Sequence, residues 1–252
     1  MWFEKAKQLI SQVEGDAGLL VKNLKTGESF GYNETLKFPS ASTIKVPILI
    51  TLLDAAAGGR INLDAAAPVP KADLVEGSGI VCFLSEKLPF TLLDHATMMI
   101  DLSDNTSTNK LIEELGMESV NAKCRELGLK ETVLGRKMMD FEARKQGRDN
   151  YTSCRDMLIM YEHIYNNPEK YKLALKILKQ QILNSLLPLM MPGEPVFAHK
   201  TGGLEGIKHD AGILYLGVPV FVCLLTKELK KESEGIKLAN EIGLLIYNEY
   251  KV

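Results

Sequence analysis

Pro219-Val220-Phe221-Val222-Cys223-Leu224-Leu225-Thr226 is almost wholly apolar, so both of its faces need cover. Val220, Val222 and Leu224 alternate with Phe221 and Cys223, as in a central strand buried on two sides. Working outward, Ala211–Leu216 and Val196–Thr201 also read as strands. Near the other end of the chain, residues 17–24 and 28–32 read as a hairpin closed by Asn23-Leu24-Lys25-Thr26-Gly27. Trp2, Phe3, Ala6, Ile10 and Val13 give a helix over residues 2–13. A last helix is expected from about Glu232 to Tyr250.

Between these ends, from Ser42 to about residue 190, the pattern is mostly helical. Breaks fall at Pro68–Pro70, Glu76-Gly77-Ser78-Gly79, Gly116, Gly128 and 135–152. Strands separated by a long helical stretch imply one sheet assembled from both ends of the chain. The expected class is therefore α/β (α+β), a mostly antiparallel sheet flanked by helices, with an all-helical insertion. The expected division is 1–38 with 191–252 for the sheet domain and 39–190 for the helical domain. A site is expected in the cleft between them.

The 252 residues carry 30 Lys and Arg against 32 Asp and Glu, a formal net charge of −2. That balance leaves no electrostatic footprint for nucleic acid. No apolar run reaches the roughly 18 residues of a membrane span. Met1-Trp2-Phe3-Glu4-Lys5-Ala6-Lys7 has no long apolar core of a secretory leader, so the chain as written reads as cytoplasmic, or as exported with its leader removed. Cys82, Cys124, Cys154 and Cys223 form no C-x-x-C pair, and none of His95, His163, His199 and His209 makes H-E-x-x-H. No metal or other cofactor is expected.

Three short motifs carry chemistry. Ser42-Thr43-Ile44-Lys45 follows Phe38-Pro39-Ser40-Ala41. Ser40 is a plausible N-cap, which places Ser42 in a first helical turn and Lys45 on its face. A neutral Lys45 amine can take the Ser42 proton, and burial near Lys200 would lower the Lys45 pKa. In Ser103-Asp104-Asn105, Ser103 can relay a proton to a leaving nitrogen and Asn105 can donate to a carbonyl. Asp104 is expected to brace the loop through backbone hydrogen bonds. In Lys200-Thr201-Gly202-Gly203, the ammonium and hydroxyl suit a carboxylate, and glycine permits close approach. The Ser42 and Gly203 N–H groups can form an oxyanion hole. His209-Asp210 opens the next strand, from which Asp210 can brace the Lys200 strand, and His199 adjoins Lys200 in sequence. Taken singly, each motif also reads as an ordinary helix start, capping cluster or strand end.

Lys25-Thr26-Gly27 repeats K-T-G but falls in the hairpin turn. The overlapping Gly27-Glu28-Ser29-Phe30-Gly31 is G-x-S-x-G with a strand after it, where a nucleophile elbow needs a helix. Neither is taken as a site.

The ordered set S-x-x-K, S-D-N, K-T-G resembles the signature of class A serine β-lactamases and penicillin-binding proteins. The resemblance covers nearly the whole chain. It implies that Ser42 is acylated, Lys45 is its partner and Ser103 relays the proton to the β-lactam nitrogen. It further implies that Asn105 orients the substrate amide and that Lys200 and Thr201, with Gly202 and Gly203, bind the substrate. The substrate would be a small-molecule β-lactam or a peptidoglycan stem peptide, and a monomer is expected.

The family's R-x-E-x-x-x-N loop departs from its pattern here. With Arg136 as the loop arginine, Met138 stands where the water-activating glutamate belongs, and a thioether is no base. Asp140 and Glu142 are the nearby carboxylates that a different loop path would bring inward as catalytic groups. Asp149 can close the loop on Arg136. The leading expectation is a class A β-lactamase. The alternatives are a D-alanyl-D-alanine peptidase with slow deacylation, and a sensor acylated without turnover.

Overall fold

The computed structural model describes residues 1–85 and 87–251. The strands of its main sheet are β1 (Asp16–Asn23), β2 (Ser29–Tyr32), β5 (Val196–Leu204), β6 (Ile207–Tyr215) and β7 (Pro219–Lys227). Two short strands, β3 (Phe38–Pro39) and β4 (Tyr151–Thr152), pair separately. The α-helices are α1 (Trp2–Ser11), α2 (Lys45–Ala57), α3 (Leu92–Asp101), α4 (Asn105–Leu115), α5 (Met117–Glu126), α6 (Phe141–Lys145), α7 (Cys154–Asn166), α8 (Lys172–Gln180) and α9 (Glu232–Tyr250).

The main sheet is antiparallel in the order β2-β1-β7-β6-β5. β7 is its middle strand, as the apolar run at 219–226 requires. The alternation in that run sorts its side chains between two cores. Val220, Val222 and Leu224 pack with Ala6, Ile10, Leu238, Ile242 and Ile246 from α1 and α9. Phe221, Cys223 and Leu225 face the other way, toward the helical part of the chain. Period two along one strand thus separates the two layers.

α2 is the axis of the helical part. Its sequence, KVPILITLLDAAA, is apolar on nearly every side, and Lys45 through Leu53 are all buried. A helix with no polar face belongs inside a protein. Pro47 is tolerated because it lies in the first turn, where a missing N–H breaks little. No helix among the described residues is long and apolar enough to cross a membrane.

Two local features differ from expectation. Ser42 lies in a 3-10 turn, Ala41–Ile44, that leads into α2, rather than in the first turn of an α-helix. Ser40 occupies the N-cap position, but its side chain makes no cap; its carbonyl accepts from Thr43 N–H and Thr43 Oγ1. The β3–β4 pair is the second. It ties the segment before Ser42 to the end of the 135–150 loop, and Ser40 N–H donates to Asn150 O at 2.8 Å.

The repeated K-T-G is turn chemistry. Asn23 Oδ1 accepts from Lys25 N–H and Thr26 N–H, and Gly27 turns at φ +81°.

Candidate active site

The first motif residues meet around one amine. Lys45 enters on the first turn of α2 and is fully buried. Its Nζ lies 3.1 Å from Ser42 Oγ, 3.0 Å from Ser103 Oγ, 2.7 Å from Ser103 O and 3.1 Å from Asn105 Oδ1. Asn105 Nδ2 donates to Glu76 O at 3.2 Å, which fixes its oxygen toward the lysine. Two of these four partners, Ser103 O and Asn105 Oδ1, can only accept. A neutral amine has two N–H bonds and one lone pair. With both N–H bonds given to those oxygens, the lone pair is left for a hydroxyl proton from Ser42 or Ser103.

The electrostatics favour that neutral form. Burial holds the Lys45 amine well below the ordinary lysine range, the Lys200 charge pushes it the same way, and Asp104 opposes both. Burial also lowers Lys200, to about 7, against the raising influence of Asp210 and Asp101. Burial raises the Asp101 carboxyl to about 6, with Lys200 pulling it down. Asp101 ends α3, two residues before Ser103, and its buried Oδ1 has no hydrogen-bond partner among the described residues.

The backbone around this cluster is held in uncommon conformations. Ala41, Ser103 and Met139 have φ of 45°, 55° and 63°. Each costs on the order of 1–3 kcal/mol and persists only where surroundings over-determine it. For Ser103 the surroundings are visible. Asp104 caps α4 by accepting from Ser107 N–H, and its other oxygen accepts from Ile80 N–H at 2.6 Å and Val81 N–H at 2.9 Å. Gly79 makes room for this brace: it turns at φ +99°, and a Cβ there would stand 2.1 Å from Asp104 Oδ2.

β5 brings the third motif alongside. A Cβ on Gly202 would lie 3.2 Å from both Ser42 N and Ala41 Cβ, so the strand passes close to the Ser42 turn. Ser42, Asn105 and Gly203 line one cleft of about 280 Å³, with Ser78, Met138, Met139, Phe141 and Asn150 among its other walls. Lys200 Nζ donates to Thr201 O and to Gln181 Oε1. His199 Nδ1 and Asp210 Oδ1 are 2.7 Å apart, and Asp210 stands opposite Thr201 on β6. The other three histidines are spent elsewhere: His209 contacts Pro39 O, His95 contacts Ser107 and Ala67 O, and His163 contacts Tyr171.

The 135–150 loop is tightly fixed. Arg136 Nε donates to Asp149 Oδ1 at 2.7 Å, the ion pair expected from the sequence. Asn150 Oδ1 accepts from Gly135 N–H and Arg136 N–H. Asn109 clasps Met138 by both main-chain groups: its Oδ1 accepts from Met138 N–H at 2.7 Å and its Nδ2 donates to Met138 O at 3.1 Å.

Asp140 and Glu142, expected as inward-turned carboxylates, are engaged otherwise. Asp140 Oδ1 caps α6 by accepting from Ala143 N–H. Glu142 is exposed and paired with Lys145 at 2.7 Å. The loop residues lining the Ser42 cleft are Arg136, Met138, Met139, Phe141 and Asn150, with no carboxylate among them. Helix α6 begins at Phe141, so its short turn carries Glu142 outward.

Sequence reasoning gave no role to Asn109, Asp101 or Gln181. Asn109 was visible as the end of the Ser103–Asn109 polar run. Gln181 stands just past α8 in a stretch with no motif. Among the described residues, no group of three or more His, Cys, Asp or Glu side chains is placed to hold a metal ion.

The beta-lactamase enzyme family model matches residues 2–250. The chain belongs to that family. Among curated relatives, beta-lactamase CARB-4 of Pseudomonas aeruginosa is 29% identical over 209 residues, covering 79% of this chain and 71% of that protein. Beta-lactamase PSE-4 of the same organism is 27% identical over 272 residues, covering 98% and 91%. Among solved structures, PBP-A superposes with a TM-score of 0.90 at 28% identity, covering 99% of this chain and 95% of that one. A leucine-to-glutamate mutant of PBP-A, solved as an acyl-enzyme complex with penicillin G, matches equally well, with a TM-score of 0.90 at 28% identity. The family fold, a five-stranded antiparallel sheet with helices, is the one described above.

Proposed function

We propose that this protein is a serine acyl-transfer hydrolase that opens β-lactams through an acyl-enzyme on Ser42. The observation that carries this reading is the Lys45 amine, buried and depressed, within 3.1 Å of Ser42 Oγ and 3.0 Å of Ser103 Oγ. The site lies in a cleft between a sheet domain, 1–38 with 191–252, and a helical domain, 39–190.

Ser42 Oγ attacks the lactam carbonyl as its proton passes to the Lys45 lone pair. The oxyanion is held by the Ser42 and Gly203 N–H groups. As the C–N bond breaks, Ser103 gives its proton to the nitrogen and regains one from Lys45. The second N–H of Asn105 Nδ2 orients the ligand amide. Lys200 and Thr201 receive the ligand carboxylate, and Gly202 lets the strand lie against the Ser42 turn. Hydrolysis then needs a water delivered to the ester carbonyl by a base within about 3 Å.

A second reading, a D-alanyl-D-alanine peptidase or transpeptidase on peptidoglycan stem peptides that β-lactams inhibit, is favoured by a specific observation. Met138 is pinned by Asn109 into the wall of the Ser42 cleft, while Asp140 and Glu142 are engaged elsewhere. Acylation is well provided for, and deacylation has no carboxylate from the loop to drive it. The likeness to PBP-A, of which a mutant was solved as an acyl-enzyme complex with penicillin G, supports acylation under either reading.

A chromogenic cephalosporin assay with intact-protein mass spectrometry tests both. Steady turnover with little adduct supports the β-lactamase. A stoichiometric burst with a lasting adduct on Ser42 supports the peptidase. No adduct at all overturns the acyl-transfer reading.

A further inference from the structure

Among the described residues β5 is an edge strand, paired with β6 on one side. Alternate residues along such a strand point their main-chain N–H and C=O away from the sheet. Gln181 takes up two of these residues. Its Nε2 donates to His199 O at 3.0 Å, and its Oε1 accepts from Thr201 N–H at 3.1 Å. One side-chain amide thus pairs with the edge as the backbone of a sixth strand would. Because one partner can only accept and the other only donate, the orientation of the amide is fixed.

The same Oε1 also accepts from Thr201 Oγ1 at 2.9 Å and from Lys200 Nζ at 3.1 Å. These are the donors assigned above to a ligand carboxylate. Lys200 Nζ further donates to Thr201 O at 2.9 Å, which fills the remaining outward group of that residue. By the period of two, the next outward-facing residue is Gly203, a wall of the Ser42 cleft. On the far side of Gln181 the edge opens again into a separate groove lined by Lys179, Asn184, Met191 and Phe197. Gln181 is only 4% exposed, so it stands as a partition between the two. Its backbone neighbour is anchored as well, since Ile182 N–H donates to Asp101 O at 3.3 Å.

We propose that Gln181 is the specificity-determining end-stop of the ligand-binding edge, confining the Ser42 cleft to acyl donors that terminate in a carboxylate at Lys200 and Thr201. The inference rests on the acyl-transfer reading above. A carboxylate arriving from the Gly203 side is a charged acceptor and outcompetes a neutral amide oxygen for the Lys200 protons. The Thr201 hydroxyl turns to it, while Gln181 keeps its two main-chain bonds. A ligand that continues past this point meets the Gln181 side chain. To follow the edge it has to break the bonds to His199 O and Thr201 N–H, leaving buried groups unpaired.

The test compares Ser42 acylation by penicillin G with acylation by its amide to glycine, which extends the chain beyond the ring carboxylate. Second-order rates are read from intact mass. The wild type is expected to favour the free acid on the order of a hundredfold. Gln181→Ala opens the partition and speeds the glycine amide, so the ratio falls about tenfold. Gln181→Glu keeps the size but places an anion against Lys200. It slows the free acid far more than the amide and moves the alkaline limb of the free-acid pH profile upward. A purely structural role would slow both ligands alike. Unchanged ratios in both variants, with wild-type adduct present, overturn the end-stop alone. No wild-type adduct with the free acid overturns the acyl-transfer reading and the end-stop with it.

Discussion

The cluster around Lys45 and the loop over 135–150 face the same cleft and are built differently. In the cluster, chemistry and scaffold are the same atoms: Lys45, Ser103 and Asn105 hold one another by the groups that would react or bind. In the loop, scaffold and chemistry are separate. Its path is fixed through main-chain groups, by Asn109 on Met138 and Asn150 on Gly135 and Arg136, and by the Arg136–Asp149 side-chain ion pair. The Met138 side chain is packed in the core but takes no part in the hydrogen bonds that set that path. The hydrogen bonds that fix the loop and the acylating cluster thus do not depend on a carboxylate at position 138.

The largest effect expected from breaking the contrast is on the cluster. Lys45→Ala should slow Ser42 acylation on the order of 10³-fold, read as adduct formation by mass. Retained acylation would remove the lysine from the mechanism. Met138→Glu should act on the loop alone, speeding loss of the adduct on the order of 10²-fold and leaving its formation nearly unchanged. An unaltered adduct lifetime would mean that the 138 side chain does not reach the ester. Asn109→Ala should release the Met138 main chain and cost about 2 kcal/mol by denaturant titration, with increased proteolytic nicking within 135–150.

A smaller, graded effect is expected with pH. Acylation by a free-acid ligand needs Lys45 neutral and Lys200 charged. The rate should climb as pH rises through the depressed Lys45 pKa and fall as pH passes the Lys200 value of about 7. A ligand with no carboxylate should lack the falling limb; if it keeps that limb, Lys200 is not the group responsible. The smallest effects belong to Asp140→Asn and Glu142→Gln, expected to change adduct lifetime less than about twofold, as for surface groups. A large slowing by either would restore it as the base and erase the contrast.

Much of the architecture was legible because it rests on periodicity. The alternation along 219–226 gave the central strand, and the helix expected from Glu232 to Tyr250 has those bounds. The β3–β4 pair was illegible because two residues show no period. Ser42 was placed in an α-helical turn because S-x-x-K has the same spacing in a 3-10 turn followed by a helix. The three motifs were legible as residue types in order. Gln181 was not, since its role comes from the edge of a strand it does not neighbour in sequence. Asp140 and Glu142 were proposed by nearness in sequence to Met138, and the start of α6 at Phe141 decides where they point.

The pairing of β1 with β7 also has a consequence for how the chain is made. Their register joins Asp16 to Lys227, a separation of about 200 residues, which favours slow, late closure of the sheet. During synthesis the β1–β2 hairpin emerges well before the apolar strand that pairs with β1. Until then Leu19, Leu20 and Val21 have no sheet partner on the β7 side, and the nascent chain depends on keeping that edge from other chains.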